Sequence, residues 1–444
     1  MRPLTVVHSL GWYFPEASGG TEVYVDGLAR ALAAHGIRSE ILAASASGAP
    51  ATYDWNGSVV HRFPVPDAAR ADVVERRAHA RFDEFAGWLE SREADIYHQH
   101  SWTRGCGLPH LRWAKAIGLP TVLTVHVPSP VCVRGTMMLR GQEACDGVID
   151  VARCTECWGT LRGVPADLAA WQARNPDLSN RMGAMVPDSR LRTALRTPAL
   201  VAGHRAELLA AAQEADRVVA VCGWLYDALA ANGIPPAKLA CCRQGAPIAP
   251  ARRASARQAG PFRIGFLGRW DPAKGIHVIV DAVRRLPPAH DLELVVHALP
   301  GVDAYEQDVR RAAAGDPRIV FAGPVPRDGI AAALHGIDAL AVPSICLETG
   351  PMVVLEAFAA GVPVIGSNLG GIAELVQEGQ NGWLVPHADA DAWPRALVRA
   401  MAEAPALHVA PPRTVADVAA ETSALYRELC EPAPAAVERC GSWS

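Results

Sequence analysis

The chain has 444 residues, 50% of them apolar and 20% charged, with a formal net charge of -4 at pH 7. That length accommodates two domains of ordinary size, and the balance of charge excludes a broad polycationic face for nucleic acid. No apolar run approaches a membrane span, and the first ten residues lead into a strand rather than a signal peptide. The 11 cysteines then fit a reducing compartment better than a disulfide framework, and a cytoplasmic protein is expected.

Leu4-Thr5-Val6-Val7-His8 reads as a buried strand. The loop after it carries Pro15, Ser18, Gly19 and Gly20, and a helix is predicted from about Thr21 to Ala34, closed by Gly36. Strand, glycine turn and helix form the opening unit of a doubly wound sheet. The position of Gly19 and Gly20 at the carboxyl end of the strand puts them where such sheets bind ligands. Two more strands, 94–98 and 121–125, flank a helical stretch at 108–117. Each ends in histidine: His98 with His100, then His126. His98 and His100 read as ordinary loop residues.

From about 128 to 198 the strand–helix rhythm fails, and this insertion holds Cys132, Cys145, Cys154 and Cys157. Cys154-Thr155-Glu156-Cys157 has the form of a two-thiolate knuckle, which two upstream cysteines would complete as a tetrahedral structural zinc site. Reactive thiols and inert core cysteines are the competing readings. A strand at 215–222 resumes the rhythm, followed by a helix to Asn232-Gly233. Cys241 and Cys242 read as small buried residues in the last strand of this domain. The aperiodic segment 249–260 is the expected linker, giving domains of 1–250 and 261–410.

The second domain opens with the strand 262–268, followed by Arg269 and Lys274, one of only three lysines in the chain. A planar guanidinium and a point charge near a freed backbone at Gly268 suit phosphate oxygens, although a solvated turn is the plainer reading. Strands at 292–296, 319–321 and 339–342 follow. Then come Glu348 and Glu356, separated by seven residues, with Thr349-Gly350-Pro351 after the first. Gly350 is the expected N-cap, with Pro351 at the first helical position, Gly361 as the stop, and a strand at 362–365. Free N–H groups and the positive dipole end near Gly350, Met352 and Val353 suit a phosphate. Glu374 reads as a charge in the first turn of a helix after Gly370-Gly371. Asp389 and Asp391 read as a helix start rather than as metal ligands. A helix at about 415–429 is placed to pack back on the first domain, within a terminal region 411–444 whose tail from Glu431 is expected to be loose.

The paired glutamates, together with the Gly-Arg-x(4)-Lys-Gly run at 268–275, resemble the donor site of the retaining GT-B glycosyltransferases of family 4. The resemblance covers nearly the whole chain except the cysteine-bearing insertion and the tail. Many members carry Gly-Phe-Gly where this chain has Thr349-Gly350-Pro351. The resemblance implies an α/β GT-B fold of two doubly wound, Rossmann-like domains facing across a cleft. It implies transfer of a hexose from a nucleotide diphosphate sugar to an acceptor hydroxyl, by a metal-independent front-face route. Arg269 and Lys274 would hold the diphosphate, one of Glu348 and Glu356 the sugar hydroxyls and the other the ribose hydroxyls, and Val325 would lie near the base. Gly19 and Gly20 would face the donor phosphates and the acceptor. His126 would approach the transferred hexose, where a neutral imidazole can hydrogen-bond a hydroxyl. The acceptor would be a glycan, a glycolipid or lipid-linked sugar, or a small molecule, and the expected setting admits peripheral association with the inner face of a membrane. A sugar phosphorylase or epimerase on the same fold, and a non-catalytic zinc-containing scaffold, are the alternatives.

Overall fold

The computed structural model describes residues 3–17, 19–45, 49–67, 78–247, 260–387, 389 and 391–431. The expected linker therefore lies outside the described residues, apart from Gly260, and so does the tail beyond Glu431.

The first domain is built from β1 (Leu4–Leu10), β2 (Ile37–Ser45), β3 (Ala51–Trp55), β4 (Ser58–Pro64), β5 (Ile96–Gln99) and β6 (Thr121–Val125). A small hairpin of β7 (Met138–Leu139) and β8 (Glu143–Ala144) follows, and then β9 (Arg217–Ala220) and β10 (Leu239–Cys241) complete the sheet. Its order is β10-β9-β6-β5-β1-β2-β4-β3, parallel except at the β3–β4 hairpin. The apolar runs alternate between two covered faces, as a sheet buried on both sides requires. Val6, Leu10, Ile96 and Val122 face one helical layer, while Val7, Tyr97, Leu123 and Val125 face the other.

The second domain has β11 (Phe262–Arg269), β12 (Leu292–Leu299), β13 (Ile319–Phe321), β14 (Ala339–Val342), β15 (Val364–Ser367) and β16 (Gly382–Val385). All are parallel, in the order β13-β12-β11-β14-β15-β16. In each domain the first strand sits at the point where the order reverses. The crevice outside the carboxyl end of that strand is where open α/β sheets take ligands. The loops after β1 and after β11 both leave from such a point.

The long connection between β6 and β9 carries the hairpin and the helices Val151–Leu161, Ala166–Arg174, Pro176–Met185, Arg190–Leu195 and Thr197–Glu214. The last helix, Val415–Cys430, is started by a reciprocal cap between Thr414 and Asp417. It returns to the first domain, where Val418, Ala419 and Tyr426 are buried in the core beside the Gly20–Leu32 helix. The return crossing runs alongside the segment leaving the first domain, since the Ala246 N–H donates to the Arg413 carbonyl at 2.8 Å. The approach is so close that a Cβ on Gly245 would stand 2.2 Å from the Thr414 carbonyl oxygen.

Candidate donor-binding cleft

On the second domain, β11 delivers Arg269 to the surface at its carboxyl end. Asp271 accepts the Ala273 N–H at 2.8 Å and starts one tight turn, Pro272–Lys274. The turn ends at Gly275, with φ at 71°, where a Cβ would lie 1.9 Å from the Pro343 carbonyl oxygen. Only glycine lets this loop press against the segment after β14. The result is an ion pair between Lys274 Nζ and Glu348 Oε1 at 2.6 Å, with Ser344 Oγ donating to the same oxygen at 2.7 Å. Burial alone would push the Glu348 carboxyl up, but Lys274, Ser344 and Arg269 together hold it below its ordinary range. For Lys274, burial is likewise outweighed by Glu348, and its ammonium is held above the usual range. Both partners are therefore charged at neutral pH.

The helix expected after Gly350 runs over Met352–Ala359, with Pro351 rather than Gly350 as its N-cap. Gly350 instead takes φ 139°, where a Cβ would stand 2.9 Å from Gln244 Oε1. The Gly371 N–H donates to the Glu348 carbonyl at 2.6 Å, and a Cβ on Gly371 would stand 2.7 Å from the Gly350 nitrogen. Met352 and Val353 are half-buried at the helix start. Glu356, in the second turn, is buried, and burial pushes its carboxyl up to about 7 although Arg327 pulls the other way. The strand expected at 362–365 is β15, two residues later. Val325 is half-buried in the loop after β13.

On the first domain, the loop that ends in Gly19 and Gly20 is clamped by the buried Arg62. Its Nη2 donates to the Tyr13 and Phe14 carbonyls at 2.8 and 2.9 Å, and its Nη1 pairs with Glu16. Gly19 is the N-cap of the Gly20–Leu32 helix, and Glu22 lies buried beneath it. Gly20 faces the other domain: a Cβ there would lie 3.7 Å from Met352 Cγ. His126, just beyond β6, is buried, and its carbonyl accepts the Thr349 hydroxyl at 2.5 Å. The Leu347 N–H donates to the Thr136 carbonyl at 3.1 Å, and Trp224 Nε1 donates to the Glu348 carbonyl at 2.9 Å. Gly20 and the main chain of His126 thus meet the Met352 helix start and the Glu348–Thr349 loop, with its Lys274 partner, where the two domains face each other.

Three expectations are corrected here. His98 lies within β5 rather than in a loop, and His100, just beyond the strand, is not an ordinary loop residue: both are buried, His98 bonded to Thr124 and His100 to His126. Glu374 does not cap its own helix, where it falls too late. Its two carboxylate oxygens accept the Gly223 and Trp224 N–H groups at 2.8 and 2.7 Å, with Arg243 at 3.1 Å. It supplies the anion at the start of the first domain's Gly223–Ala231 helix, across the cleft.

The third correction concerns the cysteines. Cys154 and Cys157 lie on the Val151–Leu161 helix rather than in a knuckle. Cys157 Sγ accepts the Arg140 N–H at 3.1 Å under the β7–β8 hairpin, whereas Cys154 lies 4.0 Å from the Val148 carbonyl. Four thiolates about 2.3 Å from one zinc would stand within about 4 Å of one another. Among the described residues the one group of three or more potential ligands that close together is His8, His98 and His100, so the structure lends no support to a zinc site at Cys132, Cys145, Cys154 and Cys157. Partial burial pushes the Cys154 thiol up to about 11.

Sequence reasoning also missed Arg62, Arg327 and Thr349. Arg327 reaches from the second domain to Asp26, 3.6 Å away, and lies over the Phe14 ring. Nothing local in sequence marks these residues, because each acts on an element far away in the chain.

Two family models match the chain: the "Glycosyl transferase 4-like domain" over residues 19–243 and "Glycosyl transferases group 1" over residues 261–403. Among curated relatives, the putative colanic acid biosynthesis glycosyltransferase WcaL of Salmonella typhimurium is 32% identical over 173 residues, 37% of this chain and 42% of that protein. The phosphatidyl-myo-inositol mannosyltransferase of Mycobacterium leprae is 36% identical over 32% of this chain and 38% of its own length, so these matches span about two fifths of either relative. A D-inositol 3-phosphate glycosyltransferase of an Arthrobacter species is 26% identical over 85% of this chain and 80% of its own. Among solved structures, a glycosyltransferase from Rickettsia africae superposes with a TM-score of 0.62 at 13% identity, covering 98% of this chain and all of the other. Anabaena Alr3699/HepE, solved with UDP-glucose, gives a TM-score of 0.59 at 14% identity over 96% of this chain and 97% of its own. With the first model alone matching just over half its length and the GT-B architecture shared with these neighbours, the chain belongs to the GT4-like, group 1 family of GT-B glycosyltransferases.

Proposed function

We propose that the protein transfers a hexose from a nucleotide diphosphate sugar to an acceptor hydroxyl, with retention at the anomeric carbon. The observation that carries this reading is the meeting of the Lys274–Glu348 pair and the Met352 helix start with Gly20 and His126 across one cleft. Arg269, Lys274 and the free N–H groups of the helix start would stabilise the diphosphate as it leaves, the role a divalent ion plays elsewhere. Glu348, held ionised and oriented by two donors, would accept hydroxyls of the sugar. Glu356, with its carboxyl near 7, can donate or accept toward the ribose. His126, which burial holds neutral at about 3, would offer one ring nitrogen to a sugar hydroxyl. No side chain stands out as a covalent nucleophile, and a front-face route needs none, because the departing phosphate oxygen takes the acceptor proton.

The UDP-glucose complex of the Anabaena neighbour and the inositol phosphate and phosphatidylinositol acceptors named for the relatives support a nucleotide-sugar donor and a polar or lipid-linked acceptor. No described helix is long and apolar enough to cross a membrane, and work at the cytoplasmic face, on or off the membrane surface, fits that reading. A panel of UDP-, GDP- and ADP-sugars tests the proposal. One of them should stabilise the protein thermally and, with an inositol or glycan acceptor, give a product whose anomeric configuration matches the donor. An inverted product would overturn the retaining reading. Turnover that requires inorganic phosphate would identify a phosphorylase. Binding without any turnover would leave a scaffold.

A further inference from the structure

His8, His98, His100 and His126 lie on one face of the first sheet. His8 pairs in register with His98, and His98 with Val122, so His100 and His126 extend the same rows toward the cleft. All four are at most 5% exposed. Two ring-to-ring hydrogen bonds join three of them. His8 Nδ1 and His100 Nε2 are 3.0 Å apart, and His100 Nδ1 and His126 Nε2 are also 3.0 Å apart. The two outer nitrogens, His8 Nε2 and His126 Nδ1, are buried without a partner among the described residues. His98 stands aside from this chain, bonded to Tyr426 at 2.5 Å and Thr124 at 2.7 Å.

A metal bound by His8, His98 and His100 is the first alternative to weigh, since their ring nitrogens lie close together. The His98 and His100 rings overlap with centroids 3.9 Å apart, and all four of their nitrogens are already engaged. A metal there would have to displace the bonds those nitrogens already make. The hydrogen-bonded chain is the arrangement the geometry supports.

A neutral imidazole carries one proton, on either nitrogen. In a chain of neutral rings each ring-to-ring bond needs one N–H and one lone pair, so choosing the proton position on one ring fixes the others. If His8 donates from Nδ1, His100 must donate from Nδ1, and His126 then carries its proton on the outer Nδ1. If His126 donates from Nε2, all three rings are Nε2–H, and His126 Nδ1 presents a lone pair. We propose that His8 and His100 are positioning residues that fix, through this tautomer chain, whether His126 Nδ1 gives or accepts a hydrogen bond in the cleft. His126 Nδ1 is buried without a partner among the described residues, so a ligand hydroxyl that reached it would satisfy it. This use of the outer nitrogen rests on the reading of His126 as a sugar contact; the chain itself does not.

The test is two-bond 15N–1H spectroscopy on histidine-labelled full-length protein, which reports the tautomer of each ring. His8, His100 and His126 should all be Nδ1–H or all Nε2–H. A mixture among the three would overturn the proposal without any variant having to fold. In His100→Phe the His126 signals should move toward the pattern of an unrestrained ring, and an unchanged His126 tautomer would also overturn it. In the kinetic arm, His100→Phe should lower kcat about tenfold with little change in KM for the donor, whereas His100→Gln should recover part of the loss by bonding His126 again. Uniform tautomers that shift in His100→Phe, with no response of His126 to saturating donor and no kinetic effect, would uphold the chain and refute the sugar-contact role. Stoichiometric uptake of zinc or cobalt that shifts the signals of His8, His98 and His100 together would replace the chain with a metal site.

Discussion

The hydroxyl of Thr349 donates to the main-chain carbonyl of His126 at 2.5 Å, joining residues 223 apart in sequence and on opposite walls of the cleft. Thr349 directly follows Glu348, and His126 directly follows β6. The bond therefore ties the loop that positions one proposed sugar contact to the backbone of the other. Thr349→Val keeps the shape and removes only the hydroxyl. Loss of one buried hydrogen bond of this kind should lower kcat/KM for the donor by about tenfold, with thermal stability of the separate domains little changed. Unaltered donor kinetics in this variant would show that the bond does not set the working geometry.

Lys274→Ala and Arg269→Ala should each lower kcat/KM by about a hundredfold or more while leaving the fold intact, as expected for loss of a charged partner to the leaving diphosphate. The two differ in the ground state. Lys274 is tied to Glu348, so Lys274→Ala also leaves a partly buried carboxylate without its counter-charge. Glu348 is held below its ordinary range, so its contribution to stability is present above the unfolded value and is lost as pH falls through the folded one. The acid limb of a stability–pH profile should therefore flatten in Lys274→Ala. Near-native activity in both variants would remove the diphosphate assignment.

The strands and the opening helix were legible in sequence because buried parallel strands appear as short, mostly apolar, β-branched runs between turn signals. Strand 121–125 and the helix stop at Gly36 lie where those runs place them. The donor-side residues were legible for a different reason: Arg269, Lys274, Glu348 and Glu356 sit close together in one domain at a recognisable spacing. What sequence did not give is the pairing of distant elements. His8, His98, His100 and His126 share a face only because β1, β5 and β6 are neighbours in that order, and no single run reveals the order. The N-cap expected at Gly350 falls at Pro351, and Gly350 takes φ 139° beside the Gln244 side chain. The cysteine pair misled in the same way. Cys-x-x-Cys spacing suits a knuckle, but Asp150 caps the segment into a helix by accepting the Arg153 N–H at 2.7 Å.

Glu374 ties the second domain to the first and so bears on domain closure. Its carboxylate receives two N–H groups from the start of the Gly223–Ala231 helix in the other domain. Glu374→Ala should cost about 1 kcal/mol at this contact, in line with removal of a helix cap. The loss should appear as faster amide exchange at Gly223 and Trp224 and as a shift of the two domains toward a more open pair in solution scattering. Glu374→Gln, which keeps an acceptor, should fall between. Identical exchange at Gly223 in Glu374→Ala would mean that the cleft is held closed by other contacts.

The pH dependence of Glu356 runs opposite to that of Glu348. Burial raises its folded pKa to about 7, against an ordinary value of 4.5. The folded protein thus holds this proton more tightly than the unfolded chain does. The sign follows: the favourable contribution is complete below pH 4.5 and is lost as pH rises through about 7. At 1.36 kcal/mol per unit the total effect is on the order of 3 kcal/mol. Glu356→Gln, which keeps the shape and cannot ionise, should remove this downward slope. The variant should gain stability relative to the parent above pH 7 and show no gain near pH 4.5, as measured by urea midpoints across that range. Donor affinity should separate the two roles of the side chain. If Glu356 binds the ribose through its carboxyl, Glu356→Gln should weaken donor binding at pH 8 even as it stabilises the fold. A stabilised variant with unchanged donor affinity would assign Glu356 to the helix core alone.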